Sequence, residues 1–224
     1  MNKRITAAQA AALVKDDMTL TTTGFNGFGC PEDLIMSLAE HYDQTGHPQN
    51  LSLVKCTSQG DGEGRGVSHL AEKPGMFREL IISHMGYDPG LRKIVAEEKV
   101  TCYMLPLGNL MQLFRAIAGG LPGAISTTGI GTFADPRFGG GKANRKTREA
   151  GKEIVSLVEL GGKECLFYPS FPVDICFIRA TYGDEDGNLS IRHESMNVEQ
   201  FEVAAAVHNS GGIVVAQVDK VVKR

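Results

Sequence analysis

The stretch at residues 18–38 constrains the fold more than any other part of this sequence, because its hydrophobic pattern changes period across a glycine-rich turn. Residues 18–23 are a short β-branched run that predicts a buried strand. Pro31 opens a segment with acidic residues in its first turn and apolar residues at helical spacing, which predicts a helix. Between the two lie three glycines: Gly24, Gly27 and Gly29.

A strand, a glycine loop and a helix start present unpaired backbone N–H groups with little side chain in the way. That geometry suits a carboxylate, a thioester oxygen or a phosphate. A tight turn packed against the sheet, without a ligand, explains the same glycines, and both interpretations stay open. The predicted binding loop consists of Gly24, Phe25, Asn26, Gly27, Phe28 and Gly29.

Strands and helices alternate through the first half of the chain. This order predicts an α/β fold with an open, mainly parallel sheet and helices on both faces, in three layers. The loops after the strands then converge on one edge of the sheet. Further strands are predicted at residues 51–57, 79–84 and 100–105, and helices at residues 7–14, 31–42, 89–98 and 110–118.

The second half has a different pattern. Three closely spaced strand-like runs, at residues 153–159, 163–167 and 173–180, predict an antiparallel patch. The glycine-rich run at residues 118–150 has little periodicity, so we expect a long loop at the edge of a site or an interface. We expect residues 1–224 to form a single domain. The remaining predictions are a turn at residues 183–188, a strand at 189–192, a helix at 197–209 capped by Asn197, and a strand at 212–218.

Composition argues against several function classes. A net charge of −3 and the lack of a basic stripe disfavour nucleic acid as a partner, and we interpret the basic cluster at residues 142–148 as a solvated loop. No run approaches the roughly 20 apolar residues of a spanning helix, and the amino terminus lacks a secretory pattern. We therefore expect a cytoplasmic protein with no membrane partner. The five cysteines and the histidines show no ligand spacing, which predicts buried free thiols and no metal site.

A second candidate segment follows the predicted strand at residues 100–105. Leu107, Gly108 and Asn109 precede a predicted helix, so the backbone N–H groups of Gly108 and Asn109 could face the same pocket as the glycine loop. The alternative is a helix entry with Asn109 as its N-cap.

Residues 23–35 resemble a family signature. Thr-Gly-Phe-Asn-Gly-Phe-Gly-Cys-Pro-Glu-Asp-Leu-Ile is similar to the Gly-Gly-Phe-x-x-x-Gly-x-Pro-Glu-x-Leu-Ile pattern of family I coenzyme A transferases, with Thr23 in place of the first glycine. The likeness is greatest to the acetate or propionate type, in which two similar α/β halves are fused. Further landmarks of the amino-terminal half follow in family order, at residues 106–110, 119–123, 129–133, 135–137, 139–142 and 208–212.

The resemblance implies an enzyme that moves CoA between a short-chain acyl-CoA and a carboxylic acid. In this family a glutamate attacks the thioester and becomes a glutamyl-CoA thioester, which then transfers CoA to a second carboxylate. That glutamate lies in the carboxy-terminal half or β subunit. Its glycine-flanked setting is not found here, and Glu194 lacks the glycine elbow. We therefore expect half a site, with no catalytic residue in this chain.

The same resemblance implies that CoA is a substrate and that no cofactor is bound permanently. The implied partner is a β half or β subunit, in an oligomer of αβ units. In many family members a glutamine whose amide is thought to help hold the acyl oxyanion occupies the position of Leu107. Its absence implies either a different substrate or reliance on backbone donors alone.

Two alternatives stay open. One is a different reaction on the same fold, thioester hydrolysis or sugar-phosphate isomerisation, which activity of this chain alone would favour. The other is a non-catalytic module for acyl-CoA or phosphate binding or for assembly, which tight binding without turnover would favour.

Overall fold

The computed structural model describes residues 3–223. A seven-stranded sheet is formed by β1 (Thr19–Thr22), β2 (Leu51–Lys55), β3 (Phe77–Ile82), β4 (Thr101–Met104), β8 (Ile175–Gly183), β9 (Leu189–Ser190) and β10 (Ile213–Val221). Six of these strands run parallel in the order β10-β8-β1-β2-β3-β4, and the short β9 pairs antiparallel with β8. The predicted mainly parallel α/β sheet is therefore confirmed.

Helices cover both faces of this sheet. They are α1 (Ala7–Ala11), α2 (Glu32–Thr45), α3 (Ser68–Ala71), α4 (Pro89–Ala96), α5 (Leu107–Ala118), α6 (Arg145–Glu149) and α7 (Gln200–Asn209). Successive strand residues point to opposite faces, so Leu53 belongs to the buried cluster that includes α1, α2 and α4, whereas its neighbour Val54 belongs to the cluster that includes α5 and α7. Both side chains are fully buried, which stabilises the fold by roughly 1.5–3 kcal/mol each.

A small antiparallel sheet covers α5. Its strands are β5 (Gly123–Ser126), β6 (Ser156–Leu160) and β7 (Lys163–Pro169), in the order β5-β7-β6. Leu166 and Tyr168 of β7 pack with Leu113 and Phe114 of α5 in one buried cluster. This sheet confirms the predicted antiparallel patch for the runs at residues 153–159 and 163–167.

The prediction that the third run, at residues 173–180, belongs to the antiparallel patch is wrong. It forms β8, which lies between β1 and β10 in the parallel sheet. Most of β8 is buried, and a strand that is buried on both faces has a continuous apolar sequence. Such a sequence does not show whether the strand pairs in parallel or antiparallel with its neighbours. The long loop expected at residues 118–150 is not continuous, because the run contains β5, α6 and a short 3₁₀ helix at Pro136–Phe138.

Two helix starts differ from expectation. The helix expected at residues 110–118 begins at Leu107, and the one expected at 197–209 begins at Gln200 after Glu199, so Asn197 is not its N-cap. The helix α2 begins at Glu32, directly after Pro31. The longest helix has 14 residues, and no helix within residues 3–223 is long and apolar enough to cross a membrane. The expected buried free thiols are confirmed for all five cysteines.

Candidate functional site

The segment between β1 and α2, residues 23–30, is called the glycine loop below. At its tip the Phe25 N–H donates to the Phe28 carbonyl at 2.8 Å, and the Phe28 N–H donates back at 3.0 Å, which closes a tight turn. Asn26 adopts a φ of 54°, which asparagine tolerates better than most residues. Its N–H donates to the Ser58 carbonyl at 2.8 Å, and its own carbonyl accepts from Gly60 at 3.1 Å. The loop is thus anchored to the segment that follows β2.

Gly24 forms the base of the loop. Its φ of 138° excludes ordinary side chains, and a Cβ atom there would lie 3.1–3.2 Å from atoms of Cys30. Its carbonyl accepts from the Thr57 hydroxyl, and its N–H donates to Oε1 of Glu199 at 3.4 Å. Gly24 is therefore held from two sides, by the segment after β2 and by the residue that precedes α7.

Three backbone N–H groups of the loop have no hydrogen-bond partner among residues 3–223: those of Gly27, Gly29 and Cys30. Gly29 and Cys30 are buried, and a buried N–H without a partner costs about 1–3 kcal/mol. Gly27 is exposed, and no atom lies within 4 Å of a Cβ built on it. These three amides can donate to an incoming oxygen.

The other four predicted loop residues do not offer their amides. The N–H groups of Phe25, Asn26 and Phe28 bond within the loop or to Ser58, and that of Gly24 bonds to Glu199. The structure thus divides the predicted binding loop into amides that hold its shape and amides that remain available.

A buried polar layer lies beneath the loop. Lys55, at the end of β2, pairs with Asp88 at 2.8 Å, and both side chains are fully buried. The Lys55 ammonium also donates to the Thr57 carbonyl at 2.8 Å, while Asp88 accepts from the Gln59 N–H at 3.2 Å. Gln59 in turn donates to the carbonyl of Thr22 at 2.6 Å. The layer ties together the segments that follow β1, β2 and β3.

This layer was not predicted. Burial lowers the pKa of Lys55, against the opposing effect of Asp88. Removing one partner of such a pair costs about 3–5 kcal/mol, so the layer resists rearrangement. The only signal in the sequence was a lysine at the end of an otherwise buried strand.

His84, the residue two positions beyond β3, has a structural setting. Its Nδ1 lies 3.2 Å from the Ser58 hydroxyl and accepts from the Gly86 N–H at 3.2 Å. Burial, aided by the charge of Lys55, lowers the pKa of His84. The ring is therefore a neutral acceptor at neutral pH and acts as a hydrogen-bonded structural histidine.

The second candidate segment forms the first turn of α5. The Asn109 N–H donates to the Pro106 carbonyl at 2.9 Å, so it is engaged within the helix start. The Asn109 side chain is buried and donates to the Thr128 carbonyl at 3.0 Å and to the Tyr168 hydroxyl at 2.8 Å. The alternative of Asn109 as N-cap is wrong, because this side chain joins α5 to the small sheet.

Gly108 and Leu107 keep a more open setting. The Gly108 N–H has no hydrogen-bond partner within residues 3–223, and the Leu107 side chain is exposed. The strands β2 and β3 separate β4 from β1, which places the two segments about 14 Å apart at ordinary strand spacing. They lie on the same edge of the sheet, and no hydrogen bond joins them in the described part of the chain.

Glu199 and Gln200 form a part of this region that sequence reasoning missed. Glu199 is only 2% exposed, and burial raises its pKa to about 7. The Gln200 Oε1 accepts from the Val198 N–H at 3.0 Å, while its buried Nε2 has no hydrogen-bond partner among residues 3–223 and lies 3.4 Å from a Cβ built on Gly29. Acidic residues at a helix start are common on protein surfaces, so the sequence carried no signal for this pair.

Glu194, the glutamate considered above for a nucleophilic role, is held in an ion pair. Arg179 donates to it at 3.1 Å and Thr181 donates at 3.1 Å, and its side chain is 7% exposed. Within residues 3–223, no three His, Cys, Asp or Glu side chains gather closely enough to hold a metal ion.

Comparisons with known proteins show that this chain is similar to CoA-transferases. The caffeate CoA-transferase of Acetobacterium woodii is 39% identical, over 98% of this chain and 41% of that protein. The acetate CoA-transferase subunit alpha of Escherichia coli K12 is 26% identical, over 91% of this chain and 81% of that subunit.

A solved structure of the acyl-CoA transferase YdiF from Escherichia coli O157:H7, in a thioester complex with CoA, superposes with a TM-score of 0.94 at 40% identity. The match covers 98% of this chain and 45% of that one, so the chain spans less than half the length of this relative. The model of the coenzyme A transferase family matches residues 4–224. Since this match covers nearly the whole sequence, the chain belongs to the coenzyme A transferase family.

Proposed function

We propose that this chain is the amino-terminal, α-type half of a CoA-transferase that moves CoA between a short-chain acyl-CoA and a carboxylic acid. The observation that carries the proposal is the set of unengaged amides at Gly27, Gly29 and Cys30, in the loop that bears the family signature. Such donors suit the oxygen of a thioester or of a carboxylate. Residues 1–224 act in this proposal as one domain.

The proposed reaction uses a glutamate of the other half. Its carboxylate attacks the thioester carbonyl, the C–S bond breaks, and CoA leaves as a thiolate while the acyl group and the glutamate form a mixed anhydride. The thiolate then attacks the glutamyl carbonyl, which releases the first acid and leaves a glutamyl-CoA thioester. A second carboxylate attacks this thioester, and the same steps in reverse give the new acyl-CoA.

The glycine loop contributes to these steps by holding negative charge. Each addition to a carbonyl develops an oxyanion, and fixed N–H donors stabilise it without reorganising. Loss of one such donor lowers the rate of comparable enzymes by about 10²–10³. The buried layer around Lys55 and Asp88 keeps the loop in place, so the donors do not have to be ordered when substrate binds.

The proposed partner is a β half or β subunit, joined to this chain in an oligomer of αβ units. Coverage supports this division, because the chain spans 41% of the caffeate CoA-transferase but 81% of a relative that is named an α subunit. Glu194 has its carboxylate engaged by Arg179 and Thr181, which makes it a poor nucleophile. The nucleophile is therefore assigned to the other half.

The test is CoA exchange between acetyl-CoA and labelled short-chain acids, with the chain alone, the other half alone and the two together. We expect exchange only in the mixture. A matched control replaces the proposed glutamate of the other half by glutamine, which keeps the size of the side chain and removes the nucleophile. Hydrolysis or exchange by the chain alone would contradict the proposal and favour a thioester hydrolase, while binding without any turnover in the mixture would favour a non-catalytic module.

A further inference from the structure

We propose that Glu199 is a positioning residue: it holds the base of the glycine loop through the Gly24 N–H, and its protonation state controls how well the loop accepts an anion. The inference rests on the proposed function for its kinetic readout. Its structural part, the link between Glu199 and Gly24, concerns this chain alone.

The geometry places Glu199 behind the loop. Its Oε1 accepts from the Gly24 N–H at 3.4 Å, across 175 positions of sequence, and the residue is 98% buried. A Cβ on Gly24 would lie 3.1 Å from the Cys30 Cα, so Gly24 is in close contact with a residue that carries an available amide. A change at the Glu199 carboxylate therefore acts on Gly24, which lies directly against Cys30, one of the proposed donors.

The surroundings of Glu199 make its protonation state sensitive to pH near neutrality. Burial is the main reason that its pKa is raised to about 7, and the nearby charge of Glu202 raises it further. The positive charge of Lys55 lowers it, but Asp88 already pairs with Lys55 at 2.8 Å. A further ionisable neighbour is Cys56, a buried thiol whose pKa burial raises well above its usual value. Glu199 thus changes charge near neutral pH.

The charge of Glu199 has opposite effects on its hydrogen bond to the Gly24 N–H and on anion binding by the loop. Ionised Glu199 is the stronger acceptor for the Gly24 N–H. It also places a negative charge at the base of the loop, at Gly24 and beside Cys30, and this charge repels an anion bound to the loop amides. Neutral Glu199 keeps an acceptor oxygen without that repulsion. We therefore expect the acid form to bind a carboxylate better.

The first measurement follows the Gly24 amide of this chain by NMR between pH 5 and pH 9. The wild-type resonance should shift with a midpoint near pH 7, and in Glu199→Gln it should not. Glu202→Gln is the matched control: it removes a carboxylate three residues further along, in the first turn of α7, where the side chain pairs with Arg115 at 2.9 Å. That variant should keep the inflection, moved slightly to lower pH. A wild-type Gly24 amide that does not titrate would overturn the proposal even if Glu199→Gln failed to fold.

The second measurement uses the chain assembled with its other half. The KM for the carboxylate should rise about tenfold between pH 6 and pH 8 in wild type and stay flat in Glu199→Gln, with Glu199→Ala impaired at every pH because the Gly24 N–H loses its acceptor. Rescue by glutamine but not by alanine separates positioning from simple packing. A pH-dependent KM that survives in Glu199→Gln would overturn the proposal. Titration of Gly24 together with an absence of CoA exchange would instead contradict the proposed function and leave the positioning role supported.

Discussion

The glycine loop and the first turn of α5 have similar sequences in outline, since each brings glycine to the junction of a strand and a helix at the carboxyl edge of one sheet. They differ in what their polar groups do. The glycine loop leaves the amides of Gly27, Gly29 and Cys30 without partners in the described chain. In the α5 turn, the Asn109 N–H donates to the Pro106 carbonyl and the Asn109 side chain donates to Thr128 and Tyr168, which leaves the N–H groups of Leu107 and Gly108 without partners among residues 3–223.

The difference teaches that glycine at a strand-to-helix junction does not by itself identify a binding loop. What distinguishes the two regions is whether the surrounding structure has already satisfied the polar groups. By that criterion the glycine loop is the stronger candidate, and Asn109 is a structural residue. Leu107 and Gly108 stay predictions as substrate contacts.

The largest expected effect is a difference in stability between valine substitutions at two glycines of the loop. Gly24→Val should destabilise the chain by about 3 kcal/mol or more, because a branched residue at φ 138° adds backbone strain to overpacking against Cys30. Gly27→Val should change the free energy of unfolding by less than about 0.5 kcal/mol, because its Cβ meets open space.

Urea unfolding of both variants measures this contrast. In the assembled enzyme, Gly27→Val should still lower turnover by about tenfold or more, because the side chain stands where the acyl group must approach the backbone. Normal turnover of a folded Gly27→Val protein would show that the loop tip is only a turn.

The next effect concerns Asn109. Asn109→Ala should destabilise the chain by about 2 kcal/mol, because the Thr128 carbonyl and the Tyr168 hydroxyl lose a buried donor. Turnover per folded molecule should be nearly unchanged. Unchanged stability combined with a large loss of turnover would move Asn109 back into the site and remove the distinction between the two regions.

The smallest effect is expected at Leu107. Because this side chain is exposed, Leu107→Gln should alter stability by less than about 0.5 kcal/mol. If the position faces the acyl group, the added amide should change the rate or the preference among short-chain acids severalfold. Identical kinetics across a panel of acids would exclude Leu107 from the site.

The sequence predicted the parallel sheet well because regular alternation of strands and helices leaves few other arrangements. The prediction failed where a hydrophobic pattern fits both parallel and antiparallel pairing, or where a strand is too short to show its periodicity. The buried run of β8 does not reveal whether its neighbours are parallel, and the short strand at Gly123–Ser126 has too few residues to show alternation.

For the candidate site, the local sequence was sufficient to locate the glycine loop. It did not predict the contacts that this loop makes with residues far away in the sequence. Glycine spacing located the loop, but nothing near Gly24 indicated that Glu199 would reach it. Lys55 and Asp88 are likewise 33 positions apart, and each alone looks like an ordinary charged residue. Contacts of this kind depend on tertiary packing, which single-sequence patterns do not encode.

The central claim is that this chain supplies the donors and another segment supplies the nucleophile. The most direct measurement incubates the chain with acetyl-CoA and borohydride, which reduces a glutamyl-CoA thioester, and maps any modified residue by peptide mass. We expect no modified residue in this chain alone, and a modified glutamate in the other half once it is added. A modified glutamate within residues 1–224, with Glu194 and Glu199 as the first to examine, would contradict the claim and make this chain a complete enzyme.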